Sequence, residues 1–119
     1  MTAKKTNFAV AGLGVDLAEV KRVRRLAANQ RFLARVFTPG ELAYAGSSRN
    51  RFERLAARFA VKEAVIKALD DTSIPLKDIA VENTASGSPK VAVKGRRCSL
   101  LVSISHTATH ALAAVIAFR

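Results

Sequence analysis

Residues 58–68 read Arg58-Phe59-Ala60-Val61-Lys62-Glu63-Ala64-Val65-Ile66-Lys67-Ala68, a run in which a lysine interrupts an apolar stripe and a glutamate follows it. Leu55, Phe59, Ile66 and Leu69 recur at helical spacing and predict a core-facing stripe, on which Lys62 also falls. A cation in that position needs an anionic partner. At about 100° per residue, Glu63 stands about 80° from the centre of the stripe and Lys67 follows it by one turn. Two cations and a carboxylate therefore line one edge of the buried face. Ala56, Ala57, Ala60, Ala64 and Ala68 favour helix and allow close packing. The helix is predicted over 51–69, after a polar loop at 46–50, and ends at Asp70-Asp71-Thr72-Ser73.

Before this helix, residues 8–17 predict a strand with Ala9, Ala11, Leu13 and Val15 on one face and Gly12, Gly14 and Asp16 on the other. A strip without side chains lets a ligand or another backbone approach closely, and it leads to a carboxylate. Asp16 is also compatible with a helix N-cap, because Glu19 follows three residues on. From Ala18 to about Asn29, Val20, Val23 and Ala27 alternate with Lys21, Arg22, Arg24 and Arg25, which describes an amphipathic helix with a basic outer face. A second helical segment covers 31–37. Thr38-Pro39-Gly40-Glu41 then reads as a capping box that opens a third.

After Pro75 the pattern changes to strands. Residues 79–82 and 90–93 flank a Gly-Ser-Pro turn and predict a hairpin, and 99–105 and 110–118 predict two further apolar strands. The last strand is apolar on both faces, so one side is expected to pack on the long helix and the other on more protein. Strand, helices, then antiparallel strands predict a single α+β domain over 1–119, with 1–7 expected to be flexible.

The chain has 119 residues, half of them hydrophobic, which excludes extended disorder. Its longest apolar run, Ala111 to Phe118, is too short to span a bilayer, and the N-terminus lacks the apolar core of a signal peptide. A cytoplasmic protein without membrane association is expected. Cys98 is the only cysteine, which excludes an intrachain disulfide and a cysteine-rich zinc site, and it is expected to be a small buried residue in a strand. The 20 Lys and Arg against 9 Asp and Glu leave a net charge of +11, implying an anionic partner. Nucleic acid, an acidic protein, a phosphorylated cofactor and an anionic membrane surface all satisfy the charge. The low aromatic content, 6%, and the absence of a stacking motif argue against nucleic acid.

His106 and His110 stand four apart, a metal-ligand spacing on a helix, but their surroundings read as strand and turn. Asp16 and Glu63 form a more informative set with Lys62 and Lys67. Hard divalent cations such as Mg²⁺ take one or two carboxylates and complete their shell with phosphate and water, while lysines neutralise the remaining phosphate charge. Gly12-Leu13-Gly14 does not extend to a dinucleotide-binding or P-loop pattern.

Three segments in order, Gly12-Leu-Gly14-Val-Asp16-Leu17, Arg58-Phe-Ala-Val-Lys62-Glu63-Ala64 with Lys67-Ala68, and Ser103-Ile-Ser105-His106-Thr107, resemble the holo-acyl-carrier-protein synthases, the small 4′-phosphopantetheinyl transferases. The resemblance implies that a long helix packs on a mainly antiparallel sheet. It also implies transfer of 4′-phosphopantetheine from coenzyme A to a serine of an acidic apo acyl carrier protein. Asp16 and Glu63 would be the Mg²⁺ ligands, with Glu63 assisting deprotonation of the acceptor, and Lys62 is grouped with them as catalytic. Lys62 and Lys67 would hold coenzyme A phosphates, and Arg58 and His106 would lie near the nucleotide phosphates. Lys21, Arg22 and Arg25 would dock the carrier. A homotrimer with active sites between subunits is implied as well. Asp70-Asp71-Thr72-Ser73 stands where the family has a glycine-containing loop. The alternative reading is a basic nucleic-acid-binding or assembly protein that keeps the fold without catalysis.

Overall fold

The computed structural model describes residues 9–119; the expectation of flexibility at 1–7 and the predicted strand's first residue, 8, lie outside them. In order, the elements are β1 (Val10–Glu19), α1 (Val20–Ala27), α2 (Gln30–Val36), α3 (Pro39–Ala45) and α4 (Arg51–Leu69). A short 3-10 turn, Leu76–Asp78, leads to β2 (Ile79–Asn83), β3 (Pro89–Val93), β4 (Ser99–His106) and β5 (His110–Phe118). All strand pairing is antiparallel. One sheet has the order β1-β5-β4, and β2-β3 form a separate hairpin.

The packing of α4 on the sheet follows from small residues on both sides. Ala111, Ala113, Val115 and Ala117 turn inward from β5 and meet Ala56, Ala60, Ala64 and Ala68 of α4, all buried. On β1, the glycine strip is where the helix backbone itself comes in. A Cβ added to Gly12 would overlap the carbonyl of Ala68, and one added to Gly14 would overlap that of Ala64. Glycine is required there by the space, not by the turn. The opposite face of the same sheet carries Leu13, Val15, Leu17, Leu101 and Leu112 outward and exposed.

Most boundaries shift by one or two residues, and two placements differ in substance from the sequence reading. β1 continues to Glu19, which is itself the N-cap of α1 without a side-chain cap bond, so Asp16 is a mid-strand residue and not a helix cap. Its pairing with Ala113 of β5 holds the strand extended past the apparent capping box. Cys98 lies in the turn before β4, half-buried, and not in a strand. The Thr38 capping box forms as read: Thr38 N–H donates to Glu41 Oε1 at 2.8 Å, and Glu41 N–H donates to Thr38 Oγ1 at 3.1 Å.

The acidic end of α4 is resolved locally. Asp70 takes a left-handed conformation (φ 50°) at the helix C-cap, the place where glycine is usual. Asp71 accepts from Ser73 N–H at 3.0 Å and Ser73 Oγ at 2.5 Å, and it pairs with Arg96 of the turn after β3. The Ser73 hydroxyl and then Arg96 hold its carboxyl down at about 2. Asp71 thus ties the end of α4 to the β3–β4 turn.

Candidate active site

Asp16 reaches the candidate site because β1 alternates. The even positions that put Gly12 and Gly14 under α4 also put Asp16 on that side, beyond the contact of the backbones. Lys67, on the last turn of α4, donates to Asp16 Oδ1 at 3.2 Å and to the Val15 carbonyl at 2.9 Å. Glu63 stands one turn earlier on α4. Burial pushes its carboxyl above the ordinary range, Asp16 adds to the rise, and Lys67 and Arg22 oppose it. Asp16, Glu63, Lys67 and Arg22 therefore share one electrostatic neighbourhood, built from β1, α1 and α4.

Two crowded carboxylates, one of them partly desolvated, are destabilising unless a cation joins them. Among the described residues no group of three or more His, Cys, Asp and Glu side chains is placed to hold a metal. The donor set is two carboxylates, which fits Mg²⁺ with its remaining positions taken by phosphate and water. His106 and His110 flank the turn of the β4–β5 hairpin, where His106 faces Glu53 and His110 bonds to Thr109, and they form no such pair.

Lys62 finds its anionic partner inside the fold. Its side chain is 0% exposed, and Nζ donates to Glu41 Oε1 at 2.8 Å, the Leu76 carbonyl at 3.0 Å and the Ile79 carbonyl at 2.5 Å. All three ammonium donors are used inside the fold, so Lys62 is turned toward Glu41 and not toward the Asp16–Glu63 pair. Burial lowers its pKa, and the hydrogen bond and charge of Glu41 oppose that shift. Its anionic partner is Glu41, whose Oε2 also accepts from Val81 N–H at 2.8 Å. The capping box disclosed Glu41, but only its local bonds.

Arg58 and His106 do come together, on a cleft of about 430 Å³ whose walls include Tyr44, Arg54 and Asn83. Arg58 is buried, and burial lowers its pKa against the opposing influence of Tyr44 and Glu41. His106 Nδ1 lies 3.9 Å from Glu53 Oε1 on the same cleft. Tyr44, Arg54 and Asn83 had no sequence signal as a set, since they come from α3, α4 and the end of β2. Lys21, Arg22 and Arg25 are exposed on the outer face of α1, while Val20, Val23 and Ala27 are buried beneath them.

Comparison with known proteins identifies the family. A family model described as the 4′-phosphopantetheinyl transferase superfamily matches residues 12–116. A holo-[acyl-carrier-protein] synthase of Thermodesulfovibrio yellowstonii is 44% identical over 110 residues, covering 90% of this chain and 97% of the relative. The structure of a holo-(acyl-carrier-protein) synthase from Bacillus anthracis in complex with CoA (3′,5′-ADP) superposes with a TM-score of 0.82 at 29% identity, covering 92% of this chain and 96% of that one. The Helicobacter pylori holo-[acyl-carrier-protein] synthase in complex with coenzyme A gives 0.77 at 26% identity, covering 88% and 98%. The chain belongs to the 4′-phosphopantetheinyl transferase superfamily and, within it, to the holo-[acyl-carrier-protein] synthases.

Proposed function

We propose that the chain moves the 4′-phosphopantetheine arm of coenzyme A onto a serine of an apo acyl carrier protein, with Mg²⁺ held by Asp16 and Glu63. The observation that carries this reading is the meeting of Asp16, Glu63 and Lys67 at the end of the β1–α4 contact. In the reaction the serine oxygen forms a bond to the pantetheine-side phosphorus, the pyrophosphate P–O bond breaks, and 3′,5′-ADP leaves. Mg²⁺, when bound, neutralises charge on the pyrophosphate oxygens. Lys67, exposed and already turned toward Asp16, offers its ammonium to the same phosphates. Glu63, raised by burial, is a stronger base than an ordinary carboxylate and takes the serine proton.

The carrier docks on α1 through Lys21, Arg22 and Arg25. Arg22 is near enough to Glu63 to act on its carboxyl, so a partner on α1 delivers its serine beside the reacting groups. An acidic carrier matches the +11 charge. This activity serves fatty acid and other lipid biosynthesis. No helix among the described residues is long and apolar enough to cross a membrane.

A homotrimer with sites between subunits is part of the reading. Arg58 and Glu63 are five residues apart on α4, which separates them by about 140° around the helix and about 7.5 Å along it. The Arg58–His106 cleft of one copy is therefore suited to meet the Asp16–Glu63 end of another. The outward apolar face of the sheet supports such an assembly.

The test is Mg²⁺-dependent mass gain of apo carrier protein incubated with coenzyme A. Asp16→Ala and Glu63→Ala are expected to lower the rate by at least about a hundredfold, the scale of a lost electrostatic or general-base contribution. Full labelling by either variant sinks the assignment.

A further inference from the structure

A buried guanidinium without a carboxylate partner asks what holds it and what it waits for. Among the described residues no carboxylate forms an ion pair with Arg58, and its Nε is buried without a hydrogen-bond partner. Glu41, the acidic group that acts on it, is bonded to Lys62. What Arg58 has instead is a neutral cradle. Its guanidinium lies 3.9 Å over the Tyr44 ring, and Nη2 donates to Asn83 Oδ1 at 3.1 Å. Asn83 Nδ2 donates in turn to Tyr44 Oη at 3.3 Å, closing a three-residue ring. A second cation, Arg54, stands 5.4 Å over the same Tyr44 ring and donates to the Tyr44 carbonyl at 3.3 Å.

Tyr44 is 44% exposed on a short helix, so it adds little to the core. Its position is accounted for by the two arginines it carries. Tyr44, Arg58 and Asn83 also line a second cleft of about 320 Å³ on the other side, so together they form the wall between two openings. A neutral cradle orients a guanidinium while leaving its charge uncompensated for an incoming anion. A carboxylate in the same place would have spent that charge.

We propose that Tyr44 and Asn83 are positioning residues that hold Arg58 toward the cleft it shares with His106, preorganised for a phosphate of coenzyme A. This rests on the reading that the cleft takes the nucleotide phosphates. Tyr44 acts through the face of its ring and Asn83 through the edge of the guanidinium. Arg54 supplies a second positive charge held by the same ring.

Calorimetric titration of the full chain with coenzyme A, together with steady-state kinetics, tests the inference. Tyr44→Leu is expected to weaken coenzyme A binding and raise KM roughly tenfold, the scale of one desolvated cation–π contact, with kcat little changed and the thermal midpoint retained. Tyr44→Phe, which keeps the ring, recovers most of the affinity, and Asn83→Ala loses less than Tyr44→Leu. Tyr44→Leu in the Arg58→Ala background loses much less than in the parent, only the share that passes through Arg54. If Arg58→Ala binds coenzyme A normally, the reading of the cleft falls and the inference with it. If Arg58→Ala weakens binding while Tyr44→Leu does not, or the two losses add in full, the reading stands and the positioning role is wrong.

Discussion

Lys62 illustrates how one residue can be recognised as anomalous from its spacing while its partner stays out of view. Helical spacing puts it on a buried stripe and demands an anion, and the fold supplies Glu41 from a different helix. Removing one partner of such a pair leaves the other charged and buried, which costs more than the pair itself contributes. Lys62→Met is therefore expected to destabilise the protein by about 3–5 kcal/mol, orphaning Glu41 and two carbonyls. Urea unfolding measures the loss, and calorimetry on the folded fraction should find coenzyme A affinity unchanged. A variant of normal stability that no longer binds coenzyme A would restore Lys62 to the site. Asp16, by contrast, was identifiable from its place after the glycine strip, because strand alternation alone sets the side on which it emerges.

At the scale of elements, the contact between β1 and α4 decides the site. Gly12 and Gly14 let the helix carbonyls of Ala68 and Ala64 come directly onto the strand. That approach brings Lys67 within 3.2 Å of Asp16. Gly14→Ala forces its new Cβ against backbone, which cannot rotate away as a side chain would. Overpacking of this kind costs about 1–3 kcal/mol, and the upper end is expected here. Chemical denaturation of Gly14→Ala against the parent checks it; an unshifted midpoint would mean that the strand and helix do not meet as closely as described. The same displacement moves Ala64, the neighbour of Glu63, so transfer activity should fall with stability. The β2–β3 hairpin has a comparable role on the other side, where Lys62 and Glu41 fasten it to α4 and α3 through Ile79 and Val81.

For the whole molecule, the β1-β5-β4 sheet has one face on α4 and one face open. Register places Leu13 and Leu101 on either side of Ile116, and all three belong to the open face. Leu13 is 64% and Leu101 61% exposed, values that a lone domain would not favour across so continuous a patch. The double variant Leu13→Asp, Leu101→Asp is expected to sediment as a folded monomer and to lose transfer activity, because the Arg58 cleft and the Asp16–Glu63 pair would no longer meet. A monomeric variant with normal activity would place the complete site within one chain.

Local pattern determined the elements of this protein: the α4 helix from its alanines and apolar period, the Thr38 cap from Thr-Pro-Gly-Glu, and β5 from its doubly apolar run. It also grouped Asp16, Glu63, Lys62 and Lys67 by residue type, of which the fold brings Asp16, Glu63 and Lys67 together and turns Lys62 to Glu41. Partnerships across the fold were not available to it. That Lys62 belongs to Glu41, that Asp71 belongs to Arg96, and that Tyr44 and Asn83 cradle Arg58 are decided by which helix face meets which hairpin. Spacing along one element sets the direction of a side chain, but only packing between elements decides what it touches.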